Sequence, residues 1–222
     1  MKSNIESLLK ESFAELKKLI CKEENSSRIV IPYYRDAQVR YSEQELKQVF
    51  LNLLEKKSNY KFSVETPTIN VYRFSEEDDD TPKVCKQPTK GYRSAQIDVT
   101  VYSSNIKNHI EFKYGQVESN AFPIEKDLLK MIAEDGDTNY FVHYLVTKTD
   151  DIRTRVALSE KFSLAIKNID NNQKTGNGDS KIDNYEEKKK RVFVISQVIV
   201  LDSKKVYKNF FCLDDVRKNK YE

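Results

Sequence analysis

The chain of 222 residues contains no tryptophan, five glycines, two histidines and three cysteines. The glycines form neither a GxxxxGK[ST] loop nor a GxGxxG turn, which excludes the common phosphate-binding loops. Cys21, Cys85 and Cys212 lie far apart without a CxxC pair, so we expect reduced thiols and no structural zinc site. No cysteine has a histidine at a characteristic spacing, which leaves thiol catalysis unsupported.

Long apolar runs are also missing, and the N-terminal stretch MKSNIESLLKESF has no apolar core of the kind that signal peptides carry. We therefore expect no signal peptide, no membrane span and a cytoplasmic location. The net charge of +3 neither requires nor excludes a nucleic-acid partner. A hydrophobic content of 38%, with 13 tyrosines and 11 phenylalanines, is typical of a folded chain. We expect one domain spanning residues 1–222.

Apolar periodicity predicts the secondary structure. The predicted helices are 4–22, 42–57, 123–134 and 151–169. The predicted strands are 60–66 with a continuation at 69–74 after Pro67, two strands within 91–116, then 139–147 and 191–201. An extended segment is expected at 28–34, as an edge strand or an irregular strand, and 206–213 is either a last strand or a segment for a partner. Loops are expected at 75–90, where the acidic run 76–80 is interpreted as solvated, and at 170–190, with a short acidic-basic helical end as an alternative for its last residues.

The two strands within 91–116 carry an unusual set of charged residues. Asp98 on the first strand, and Glu111 and Lys113 on the second, alternate with apolar residues. The turn Ser103-Ser104-Asn105 would join the strands. Period-two alternation then places the three charged side chains on one face. The opposite, apolar face would hold Ile97, Val99, Val101, Ile110, Phe112 and Tyr114.

Buried carboxylates and a lysine are costly to desolvate unless they bind something. Carboxylates from adjacent strands suit Mg²⁺, which prefers oxygen ligands, and a neighbouring lysine can orient water or stabilise charge on a phosphate. The pattern predicts metal-assisted phosphodiester hydrolysis. Lys113 and Asp98 also have structural interpretations. Lys113 would be an exposed strand lysine, and Asp98 would form an ion pair with a structural partner such as Arg93.

Asp98 followed by Glu111-Phe112-Lys113 resembles the motif of the PD-(D/E)XK nuclease superfamily. The resemblance covers Ser42 to Thr147, and Ile97 stands where the motif has proline. It implies an α/β, restriction-endonuclease-like core at 42–147, with α-β-β-β-α-β order and a mixed sheet flanked by helices. The helix at 4–22 and a helix/strand extension at 151–222 would be additions to this core.

The resemblance also implies a Mg²⁺-dependent endonuclease, with Mn²⁺ as a substitute ion and DNA as the nucleic-acid partner; a homodimer is compatible with it. Asp98, Glu111 and Lys113 would be catalytic, with the metal on both carboxylates and on the main-chain carbonyl of Phe112. Glu43 would be a further ligand by helical phase, unless it only favours its helix N-terminus. Glu45 is expected to cap that helix, which begins at Ser42.

Three further residues are candidate substrate contacts, each with an ordinary alternative. Gln116 would orient a phosphate or a water, or simply end its strand in solvent. Lys126 and Lys130 would contact the nucleic-acid backbone, or be solvated lysines. His109 would line the cleft or start a strand, whereas His143 is expected in the core.

Two rival functions remain at this stage. The first is a catalytically inactive PD-(D/E)XK-fold module for nucleic-acid binding or assembly. The second is a structural domain in which the charged face is an ion-pair network.

Overall fold

The computed structural model describes residues 4–24, 28–34, 39–73, 82–87, 90–115, 121–175 and 181–222. Within these ranges, seven strands form a single sheet: β1 (Lys61–Arg73), β2 (Lys83–Cys85), β3 (Arg93–Ser103), β4 (Ile106–Tyr114), β5 (Asn139–Thr147), β6 (Val192–Val200) and β7 (Val206–Cys212). Their spatial order is β2-β1-β3-β4-β5-β6-β7. The β4–β5 and β5–β6 pairs are parallel and the other pairs antiparallel, so the sheet is mixed.

Helices cover both faces of this sheet, which confirms the α/β class. They are α1 (Asn4–Ile20), α2 (Glu43–Lys57), α3 (Phe122–Ala133), α4 (Ile152–Thr175) and the short α5 (Tyr185–Lys189), with a 3₁₀ turn at Val216–Lys218. Apolar residues of α1 and α2 form one core layer, and those of α3 and α4 form the other. Because β5 lies between these layers, its first seven residues are all buried. Among the described residues no helix is long and apolar enough to cross a membrane.

The first two helices follow the sequence pattern closely. In α1 the apolar residues at helical spacing are all buried, so α1 packs on the core of its own chain; they are Ile5, Leu8, Leu9, Phe13, Leu16 and Ile20. Burial of each large side chain contributes roughly 1.5–3 kcal/mol. In α2 the backbone N–H of Ser42 donates to the Glu45 carboxylate at 2.8 Å, which confirms the expected cap.

Two predicted segments differ from the structure, and for 206–213 the alternative of a last strand is confirmed. Residues 28–34 form no regular strand, and only an isolated bridge joins Tyr33 to Val39. The expected loop at 75–90 contains β2, which extends the sheet beside β1; the acidic run 76–80 lies outside the described residues. The segment 206–213 is the edge strand β7, paired with β6.

The helix predicted at 151–169 continues to Thr175, and α5 is the short helical end expected within 170–190. The reason is a set of contacts on Asp170. Its carboxylate accepts from the Tyr185 hydroxyl at 2.6 Å and from Lys189 Nζ at 2.7 Å. These contacts join α4 to α5 by polar groups that apolar periodicity does not detect.

The strands β3 and β4 separate in the middle of the sheet. They pair from Ser103 and Ile106 as far as Val99 and Ile110; beyond that point β3 pairs only with β1, and β4 only with β5. The separation changes the side-chain layers. Val99 packs in the layer of α1 and α2, whereas Ile97 packs in the layer of α3 and α4. The expectation that Ile97 shares one face with Val99 and Val101 is therefore wrong.

An irregularity between Pro67 and Val71 bends β1 near the end of α3. Glu134 at that end accepts hydrogen bonds from the backbone N–H groups of Ile69 and Asn70 at 2.8 and 3.0 Å. The Tyr72 hydroxyl donates to the same carboxylate at 2.7 Å. Glu134 thus replaces the ladder partners that the irregular segment loses.

Candidate functional site

The last pair of residues between β3 and β4 is Val99 and Ile110. Asp98 on β3 and Glu111 on β4 lie directly beyond this pair, where the two strands separate. The backbone N–H of Phe112 donates to Asp98 Oδ2 at 2.8 Å, and the backbone N–H of Asp98 approaches Glu111 Oε2 at 3.4 Å. The Asp98 side chain therefore occupies the gap where a strand-to-strand hydrogen bond would otherwise lie. This places two carboxylates on neighbouring strands, next to each other, as the sequence predicts.

Helix α2 contributes a lysine and a glutamate to the same place. Lys47 Nζ lies 3.0 Å from Asp98 Oδ1 and 2.7 Å from Glu65 Oε1. Glu43, one helical turn before Lys47, is partly buried, and burial raises the pKa of its carboxyl. After burial, the charges of Lys113 and Asp98 have the largest effects on the pKa of Glu43. Glu43 thus faces the cluster, as its helical phase predicts.

Helix α3 contributes a second lysine and a fourth acid. Lys130 Nζ lies 2.6 Å from Glu111 Oε1 and 3.1 Å from Asp127 Oδ1. Asp127 Oδ2 lies 3.2 Å from Lys113 Nζ, so Asp127 stands between the two lysines. Lys113 and Glu111 are therefore connected by successive ion pairs through Asp127 and Lys130, and not by a direct ion pair.

Burial and neighbouring charges shift the ionisation of this cluster. Burial, followed by repulsion from Asp127, raises the pKa of Glu111 well above its usual range, although Lys130 opposes the shift. Burial lowers the pKa of Lys113, but the negative charges of Asp127, Glu43 and Glu111 together outweigh burial, and the resulting pKa is raised. Lys113 is therefore held as a cation.

The charge cluster is defined as four carboxylates and three ammonium groups among the described residues: Glu43, Asp98, Glu111, Asp127, Lys47, Lys113 and Lys130. When every group is ionised, one negative charge is in excess. The Asp127 side chain is only 2% exposed, and neither of its oxygens receives a hydrogen bond of regular geometry from the described residues.

These features fit a hard divalent cation, which takes carboxylate oxygens and would offset the excess charge. Within the described ranges, no three Asp, Glu, His or Cys side chains are already grouped as a metal site. In the structure, lysine ammonium groups lie against the carboxylates instead.

The side chains of the cluster differ in their exposure to solvent. Asp98 and Lys113 each retain 15% of their side-chain exposure, whereas Asp127 and Lys130 retain 2% and 7%. A ligand arriving from solvent would therefore meet Asp98 and Lys113 first, with the α3 residues behind them.

The structure places the remaining candidates as follows. Lys126 is partly buried on α3. Lys130 is buried and its ammonium is engaged inside the chain, which is neither the solvent-facing position that a phosphate contact requires nor that of a solvated lysine. Gln116 lies outside the described residues. His109 is buried, with Nδ1 3.0 Å from the Thr100 hydroxyl, so it does not line an open cleft.

Sequence reasoning missed Lys47 and Asp127, although helical phase would have found both. Lys47 follows Glu43 by four residues and precedes buried Phe50 by three, so it shares the inward side of α2. Asp127 follows buried Ile124 by three residues on α3. A charged residue at a buried helical position is the available signal.

Comparisons of the chain with protein-family models, with curated proteins and with solved structures found no match.

Proposed function

We propose that this chain is a metal-dependent nuclease of the PD-(D/E)XK type that hydrolyses phosphodiester bonds in DNA, with Mg²⁺ or Mn²⁺ as its ion. The charge cluster carries the proposal, because it unites Asp98, Glu111 and Lys113 where two strands separate. The chain order α2, β1, β3, β4, α3, β5 supports it too, since it follows the expected α-β-β-β-α-β order apart from the three-residue β2.

Each residue of the cluster has a chemical role in this proposal. Asp98 and Glu111 would hold the ion, with Glu43 and the main-chain carbonyl of Phe112 as further ligands. The Phe112 N–H fixes the Asp98 carboxylate, so this ligand is oriented before the ion binds. When bound, the ion would stabilise negative charge on the phosphate and lower the pKa of a coordinated water.

Lys113 suits the task of binding a phosphate oxygen. It is held as a cation beside Asp127 and retains part of its exposure, so it can meet a phosphate without first gaining a proton. In this role it would stabilise the charge that develops on the phosphate and position the attacking water.

Cleavage of labelled single-stranded and duplex DNA with Mg²⁺ or Mn²⁺ tests the proposal. The variants are Asp98→Ala and Lys113→Ala; Lys167→Ala, on an exposed part of α4, is the matched control. We expect cleavage by the wild type and the control, and its loss in both cluster variants. Cleavage that survives both substitutions, or no metal-dependent cleavage of any substrate, would refute the proposal.

A second candidate is a non-catalytic binding or assembly module. The observation that favours it is that lysines already neutralise most of the cluster. Thermal unfolding with and without Mg²⁺ separates the two functions, because an ion that binds only the folded chain raises its melting temperature. An ion-pair network without a metal site would not respond.

A further inference from the structure

The Lys130 ammonium forms an ion pair with Glu111, a carboxylate that would bind the metal ion in the proposed function. Its Nζ has three N–H donors and lies within reach of three oxygens: Glu111 Oε1 at 2.6 Å, Asp127 Oδ1 at 3.1 Å and the Gln96 carbonyl at 3.2 Å. With 7% of its side chain exposed, Lys130 has the surroundings of a bound cation rather than those of a surface lysine.

A divalent ion on Glu111 would compete with this ammonium. Two cations that share one carboxylate oxygen repel each other strongly in a buried site, where the effective dielectric constant is low. Lys130 lies against Glu111 Oε1, so an ion that takes this oxygen requires Lys130 to withdraw from it. Asp127 lies three residues earlier on the same helix, and its Oδ1 is 3.1 Å from the Lys130 ammonium. Lys130 can therefore retain an ion pair with Asp127 after it leaves Glu111.

We propose that Lys130 is a built-in counter-cation, which neutralises Glu111 in the metal-free chain and is displaced towards Asp127 when a divalent ion binds. The inference rests on the proposed function in taking Glu111 as a metal ligand. It also gives the buried carboxylate of Asp127 a role, which is to hold Lys130 after displacement. The stability of the free site and its affinity for metal are then opposed through one side chain.

Titration calorimetry of the full chain with Mn²⁺ tests this proposal directly. Lys130→Gln removes the charge while retaining a polar side chain of similar reach, so we expect the Mn²⁺ Kd to fall about tenfold or more. Lys130→Arg keeps the charge and should not bind more tightly than the wild type. Lys167→Gln is the matched control for loss of a lysine charge outside the cluster. Equal or weaker binding by Lys130→Gln would overturn the proposal.

A second measurement covers the case in which Lys130→Gln does not fold. The ammonium signal of Lys130 in ¹⁵N NMR of the wild type is assigned by its loss in Lys130→Arg. We expect the signal to shift as Mg²⁺ is added. Binding of Mg²⁺ that leaves the signal unchanged would overturn the proposal, whereas folding of Lys130→Gln on addition of Mn²⁺ would support it.

The outcomes separate this inference from the proposed function. Tighter Mn²⁺ binding by Lys130→Gln without cleavage of any DNA would support the counter-cation and refute the nuclease. Metal-dependent cleavage by the wild type without tighter binding by Lys130→Gln would refute the counter-cation alone. If neither protein binds Mn²⁺, both proposals fall.

Discussion

Two buried polar groups of residues lie on the same sheet and differ in how their charges and hydrogen bonds balance. The first is the charge cluster. The second, the His143 chain, consists of Gly115, His143, Ser196 and Tyr221. His143 Nε2–H donates to the Gly115 carbonyl at 2.9 Å, and its Nδ1 accepts from the Ser196 hydroxyl at 2.7 Å. The Tyr221 hydroxyl lies 2.7 Å from the Ser196 hydroxyl and completes the chain.

The His143 chain is neutral, and every polar side-chain atom in it has a partner. Such a network stabilises a core and leaves nothing for a ligand to satisfy. In the charge cluster, Asp127 lacks regular hydrogen bonds from the described residues, and when every group is ionised the negative charges outnumber the positive ones. An incompletely balanced cluster costs stability, so it is the better candidate for binding and catalysis.

The largest expected contrast between the two regions is in activity. Asp98→Asn keeps the shape of the side chain and an oxygen for the Phe112 N–H, but removes the charge that would hold an ion. We expect DNA cleavage to fall at least about a hundredfold, while the melting temperature changes little. The measurement is single-turnover cleavage beside thermal unfolding. Unchanged cleavage would contradict the assignment of Asp98.

Acid should lower the stability of the folded protein through His143 of the His143 chain. Burial lowers the pKa of His143 to about 4, below the value of about 6.5 in an unfolded chain. As the pH falls through this window, the unfolded chain takes up a proton that the folded chain does not, so stability is lost. The expected loss from His143 is about 2 kcal/mol on going from neutral pH to about pH 5.

Urea unfolding across this pH range measures the loss, with His143→Gln as the variant. The buried His109, whose pKa is also lowered to about 4, remains in that variant and accounts for part of the wild-type slope. We expect the dependence on pH to become shallower. An identical slope in wild type and His143→Gln would show that His143 is not held neutral.

The smallest effect on activity is expected for Ser196→Ala. This change deprives His143 Nδ1 and the Tyr221 hydroxyl of a shared partner, which should lower the free energy of unfolding by about 1–3 kcal/mol. Cleavage by the folded variant should remain at the wild-type level, because Ser196 lies outside the charge cluster. Chemical denaturation and the DNA assay measure the two effects. Loss of cleavage with unchanged stability would reverse the roles given to the two regions.

Much of the fold could be predicted because burial leaves a local pattern. The helix at α1 and the strand at β5 are visible as apolar periodicity and as a continuous apolar run. The separation of β3 from β4 could not be predicted, since it depends on pairing with β1 and β5. The extension of α4 depends on contacts of Asp170 with residues more than a dozen positions away.

The site shows the same limit. Asp98, Glu111 and Lys113 are close in sequence and share one strand pair, so alternation identifies them. Asp127 and Lys130 reach the site from α3, and only the tertiary fold shows that Lys130, rather than Lys113, forms the ion pair with Glu111. Local sequence predicts which residues are unusual, whereas long-range packing decides which of them touch.

The most direct test of the metal site is the free energy of unfolding of the wild type and Asp98→Asn as Mg²⁺ is added. If the ion binds the folded cluster, the wild type should gain about 2.7 kcal/mol at a hundred times the Kd, and Asp98→Asn should gain far less. Equal responses of the two proteins, or none in the wild type, would contradict a metal site at the separation of β3 and β4.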